Sequence, residues 1–137
     1  MKSREEIEAM FIELELPFER LGDDIWVVMD EHDHLENLVV YQTGSVLNLR
    51  VKLFELGGTE PPGLFRHLLE LNASDVVHGA YAIENDSVVL TGALEVDNLD
   101  LNELQAVFES FGIALSTHHP KVVAFLKPDA ASPQAQD

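Results

Sequence analysis

Ile7, Met10, Phe11 and Leu14 recur at helical spacing, Glu5, Glu8 and Glu15 fall mostly off that stripe, and Ser3 with Glu6 forms a capping box ahead of it. The pattern predicts a first helix that Pro17 stops near Leu16, because a residue before proline is pushed out of helical dihedrals. After the turn residues Gly22-Asp23-Asp24, the β-branched and aromatic run IWVVM predicts a strand, and NLVVYQT predicts another. Leu47, Leu49, Val51 and Leu53 then alternate with Asn48, Arg50 and Lys52, which predicts a third strand with one dry face and one largely wet face. Together these strands read as an antiparallel meander.

Gly57-Gly58 ends the meander, and Pro61-Pro62 opens GLFRHLLELN, a short amphipathic helix carrying Leu64, Phe65, Leu68 and Leu69, with Asn72 as its stop. The runs VVHGAYAIE and SVVLTGALEV flank Asn85-Asp86 in the manner of a β-hairpin. Asp100 with Glu103 makes a second capping box, and Leu101, Leu104, Phe108, Phe111 and Leu115 describe a last long helix that Pro120 interrupts. KVVAFL adds an apolar segment, and the small, polar DAASPQAQD reads as a flexible tail. The expected order is helix, three strands, helix, two strands, helix: an α+β domain over residues 1–127 with a C-terminal tail at 128–137. No glycine loop of the phosphate-binding kind joins a strand to a helix, which removes Rossmann and P-loop readings.

Charge narrows the partners. The 25 Asp and Glu against 8 Lys and Arg give a formal charge of −17. Such a field repels polyphosphates and leaves no basic stripe for counterion release, so direct nucleic-acid binding is disfavoured and basic or basic-amphipathic protein segments are attracted. A nucleic-acid-handling protein is one partner of that description. The chain has no cysteine, which excludes disulfides and thiolate chemistry and fits a reducing compartment. The opening MKSREEIEAM lacks an apolar signal core and no run reaches membrane-spanning length, so the expectation is a soluble, cytoplasmic protein.

The stretch DEHDH, Asp30 to His34, holds residue types suited to a cation, but the spacing is poor. A calcium loop wants oxygen ligands where His32 and His34 stand, and the stretch is better read as a solvated hairpin loop. Neighbouring His118 and His119 would point about 100° apart on a helix, so a place in the last turn of the helix, where cations interact well with the dipole, is the simpler account. His67 and His78 are isolated, and neither a nucleophile elbow nor a zincin motif occurs. The reading therefore carries no catalytic residue, no cofactor and no metal. A small-ligand or metal-responsive regulator using the Asp30–His34 loop stays open as the alternative function.

The element order, the acidic balance and the stretch LLELNASDVVHGAYAIENDSVVLTGALEVDNLDLNELQAVF resemble the YbjN-like proteins, which share their fold with type III secretion chaperones of the CesT kind. The resemblance spans roughly residues 3–119 and leaves KVVAFL outside. It implies an antiparallel sheet covered by helices, usually in a homodimer, and a non-enzymatic, chaperone-like or regulatory module that binds a partner protein, with a link to stress responses. It also implies dimerisation through the second helix and the strand after it, with Leu64, Phe65, Leu68 and Tyr81 as contributors.

Overall fold

The computed structural model describes residues 2–31 and 35–126. Helix α1 (Arg4–Glu13) is followed by strands β1 (Phe18–Gly22), β2 (Ile25–Asp30), β3 (Leu35–Thr43) and β4 (Val46–Glu55). Helix α2 (Leu64–Ser74), the hairpin β5 (Ala80–Glu84) and β6 (Ser87–Glu95), and helix α3 (Leu101–Val123) complete the chain, with a short 3₁₀ turn at Ala124–Leu126. The architecture is α+β, as the hydrophobic pattern predicts.

One antiparallel sheet runs in the order β1-β2-β3-β4-β6-β5. Its first four strands form a meander one strand longer than the sequence pattern predicts. The additional strand, β1, is an edge whose Glu19, Arg20 and Leu21 are exposed, so it carries no apolar alternation to reveal it. Beyond the meander the chain crosses by way of α2, β6 pairs with β4, and β5 becomes the far edge. Asn85 and Asp86 both take positive φ, 51° and 62°, in the two-residue hairpin turn that Asn and Asp tolerate best.

Register places Trp26, Val40, Leu49 and Gly92 side by side on one face, and Val51, Leu90 and Tyr81 on the same face beyond them. All three helices bury their apolar stripes against this face: Ile7 and Phe11 from α1, Leu64, Leu68 and Leu71 from α2, and Leu104, Phe108, Phe111 and Val122 from α3 join the sheet side chains in one core. Phe11 stands edge-on to Trp26 at 5.7 Å. Gly79 is fixed by the same packing. Its φ is +121°, and a Cβ there would lie 2.2 Å from the Thr91 carbonyl oxygen and 3.1 Å from the Phe111 ring. Glycine is thus what lets β5 and α3 close on each other.

Three element ends differ from the sequence expectation. Helix α1 stops at Glu13, where Leu14 caps it and Glu15 turns left-handed (φ 59°), so the chain has left the helix before Pro17 acts. Helix α2 continues through Asn72 to Ser74. Helix α3 runs through Pro120 to Val123. A proline inside a helix costs about 3 kcal/mol, and the compensation lies on the far side of it: Val122 is fully buried and Phe125 packs its ring 5.3 Å from that of His67 on α2. KVVAFL is therefore part of the domain, closing over the start of α2.

Candidate functional site

Because the helices share one side of the sheet, its other side is left without a covering layer. Ile25, Val27, Met29, Val39, Tyr41, Arg50, Lys52 and Val89 alternate with the core residues and point there. Ile25 is 41% exposed and Met29 40%, while Val89 is buried by its neighbours on this face without belonging to the core. The central charges of the face are Arg50 and Lys52. The Arg50 guanidinium lies 5.7 Å from the centre of the Tyr41 ring and donates to Glu84 at 3.1 Å, and Lys52 pairs with Glu55 at 3.0 Å. A chain of net charge −17 therefore has, at the centre of its open sheet face, apolar side chains and two cations each paired with a carboxylate.

The two edges of the sheet adjoin this face. Strand β1 has a strand partner on one side only, and its Leu21 is 57% exposed. Where β1 begins, a cleft of about 380 Å³ opens between the end of α1, the end of β2 and α3, floored by Leu14, Leu16, Pro17 and Phe108 and flanked by Glu15, Asp30, Glu31 and Glu109. At the opposite edge, Leu69 on α2 (68% exposed), Val77 (78%) and Ile83 on β5 (45%) offer a second apolar surface.

Two polar clusters hold these edges in place. On α1, Glu8 accepts from Arg20 Nε and Nη2 at 2.8 and 2.7 Å and from the Trp26 indole N–H at 2.7 Å. These hydrogen bonds, that from Arg20 foremost, hold the Glu8 carboxyl below its ordinary pKa although burial opposes them. Near the other edge, His118 on α3 faces the Tyr81 hydroxyl at 2.9 Å through Nδ1 and the Asp75 carboxylate at 3.3 Å through Nε2. Burial, with a lesser contribution from the charge of Asp75, pushes the Tyr81 phenol up to about 12, so it stays a neutral hydroxyl beside His118. Asp75 is held low by the Ser74 hydroxyl first and His118 second. The cluster ties the end of α2 to β5 and α3.

The residues singled out in the sequence fall as follows. Leu64, Leu68 and Tyr81 are buried in the core of their own chain, and Phe65 keeps part of its side chain at the surface. The apolar surface nearby belongs to Leu69, which the helical pattern groups with them, and to Val77 and Ile83. His118 lies within α3, buried, and not in a last turn as expected, because α3 continues beyond Pro120. Of DEHDH, Asp30 ends β2 in a buried position and Glu31 is exposed in the turn, while His32, Asp33 and His34 lie outside the described residues, as does the tail at 128–137. Among the described residues no cluster of His, Asp and Glu is arranged to hold a metal ion, and no helix is long and apolar enough to cross a membrane. The open face of the sheet was signalled by Asn48, Arg50 and Lys52 alternating with leucine and valine. The β1 edge left no such signal.

Comparison with known proteins points the same way. The family model CesT_Tir_1, of type III secretion chaperones, matches residues 1–128. Among solved structures, a chain of the heterodimeric ExoU-SpcU complex from the type III secretion system of Pseudomonas aeruginosa superposes with a TM-score of 0.58 at 15% sequence identity, covering 89% of this chain and 98% of that one. None of the curated proteins matches the sequence.

Proposed function

Given that the chain belongs to the CesT_Tir_1 family, whose match takes in KVVAFL as well, we propose that it is a non-enzymatic protein-binding module, a homodimer that holds an extended segment of a client protein. The observation that carries this reading is the one-sided sheet: an uncovered face with exposed apolar side chains, running out to the edge strand β1. An added strand would satisfy main-chain groups along β1 and set alternate side chains beside Leu21, Ile25 and Met29, so affinity comes from backbone pairing and selectivity from the apolar face. Flanking basic residues of the client would meet the carboxylates around the cleft at the start of β1, after a field of this size has steered the encounter. The client is accordingly a protein with a basic or basic-amphipathic segment, such as a nucleic-acid-handling protein, and the setting is regulatory, as in the stress responses associated with YbjN-like proteins. The second copy packs along α2 and β5, where Leu69, Val77 and Ile83 are exposed and Phe65 is partly so.

The test begins with the client recovered on the tagged protein from its native cell. Its binding is then measured with wild-type protein and with Met29→Lys, which places a charge on the open face without touching the core. A loss of affinity of tenfold or more, together with an on-rate that falls with added salt, is the expected result. Unchanged binding to Met29→Lys removes the open face from the site, and an acidic client removes the steering.

A further inference from the structure

Asn72 is an amide in the last turn of α2, and the structure gives it a use that helix formation does not need. Its Oδ1 accepts from the Tyr81 main-chain N–H at 2.7 Å, and its Nδ2 donates to the Tyr81 carbonyl at 3.1 Å. Tyr81 is in β5, the last strand of the sheet. Both of its main-chain groups therefore point away from β6, and the alternation of an antiparallel strand turns those of Ile83 the same way. The side-chain amide presents to Tyr81 the same acceptor and donor that a residue of a further strand would present. With Tyr81 taken, an incoming strand could pair on β5 with Ile83 alone, since the two-residue turn follows at Asn85.

We propose that Asn72 acts as a surrogate strand that closes the β5 edge and so confines strand addition to β1. What it excludes is main-chain pairing with a second copy of this chain, β5 antiparallel to β5; the side-chain contact between copies along α2 and β5 proposed above needs no such pairing. The features for such pairing are present: β5 carries Ala80, Ala82 and the half-exposed Ile83, with small side chains and no proline to obstruct a neighbour. Unprotected edges of this kind are where sheets join. The confinement to β1 rests on the client reading above, whereas the closure of β5 is tested with the protein alone.

The chain has no cysteine, so Ala82→Cys introduces a single thiol that can form an intermolecular disulfide only where two β5 strands lie side by side with Cα atoms within about 7 Å. In the wild-type background no Ala82 disulfide is expected under mild oxidation. Adding Asn72→Ala or Asn72→Leu, the latter keeping side-chain volume and helix propensity, should yield that disulfide. A disulfide already formed at Ala82 in the wild-type background overturns the proposal. So does the absence of that disulfide in an Asn72 variant with the wild-type circular dichroism spectrum. If both Asn72 variants lose the fold, Asn72→Asp decides: it keeps the acceptor for Tyr81 N–H and adds charge at the edge, so absence of the disulfide and a slowly exchanging Tyr81 amide support closure. The disulfide in this variant overturns it.

Discussion

At the β1 end of the sheet the strand edge is free and its surroundings are acidic, with Glu19, Asp23 and Asp24 exposed near Leu21, whereas at the β5 end the edge is plugged by Asn72 and flanked by apolar side chains. Each end is braced from the helix side by a polar cluster. Glu8, Arg20 and Trp26 join α1 to β1 and β2, and Asp75, His118 and Tyr81 join α2 to α3 and β5. The two ends suit different kinds of contact. Charge and an open backbone suit a transient, steered partner, while closed backbone and exposed leucine, valine and isoleucine suit a lasting contact between copies.

The largest effect is expected at Phe111, whose ring fills the space left by Gly79 and Gly92 beneath the β5 end. Phe111→Ala should cost about 3–5 kcal/mol in a denaturant melt. A cost below ~1 kcal/mol would mean that the β5 end is not held by this packing. Adjacent leucines on α2 provide a sharper test. Leu68 is 5% exposed and Leu69 68%. Leu68→Glu buries a carboxylate and should destabilise the monomer by several kcal/mol, whereas Leu69→Glu should leave stability within about 0.5 kcal/mol and shift light scattering toward the monomer. A Leu69→Glu protein that stays associated would move the contact between copies away from α2.

The smallest effect is expected at the β1 end, where the depressed Glu8 pKa links stability to pH. The carboxylate form is the one Arg20 and Trp26 bind. Its contribution is present in full above the ordinary glutamate value of 4.5 and is lost as pH falls through the lower value of the folded protein. Glu8→Gln should therefore lower stability at pH 7 by about 1–2 kcal/mol and flatten the decline below pH 4.5. An acid limb identical to wild type would show that Glu8 is not the linked group.

How much of this was legible depends on how local each signal is. Both capping boxes, the Leu47 to Val51 alternation and the Asn85-Asp86 turn are written within a few residues, and the structure has them where the sequence puts them. Strand β1 was not legible, because its order comes from pairing with β2 and only Phe18 of its side chains packs on the core. The passage of α3 through Pro120 was not legible either, since it is held by the burial of Val122 and by Phe125 meeting His67, more than fifty residues away. Asn72 read as a helix stop for the same reason. Its partner is nine residues on, in a strand whose edge position follows only from the complete strand order.

Strand β4 sits in the middle of the finished sheet, but it is joined to β6 only after residues 56–86 have been folded between them. Contacts that close long loops form late. During that interval β4 is a temporary boundary, ten residues long and carrying Leu47, Leu49 and Val51, with the makings of an aggregation seed. Arg50 and Lys52 on that strand act in time as well as in space: two like charges on one face of the exposed strand repel a second copy of it until β6 arrives. The chain thus carries, in its own most central strand, the means of protecting itself while it is unfinished.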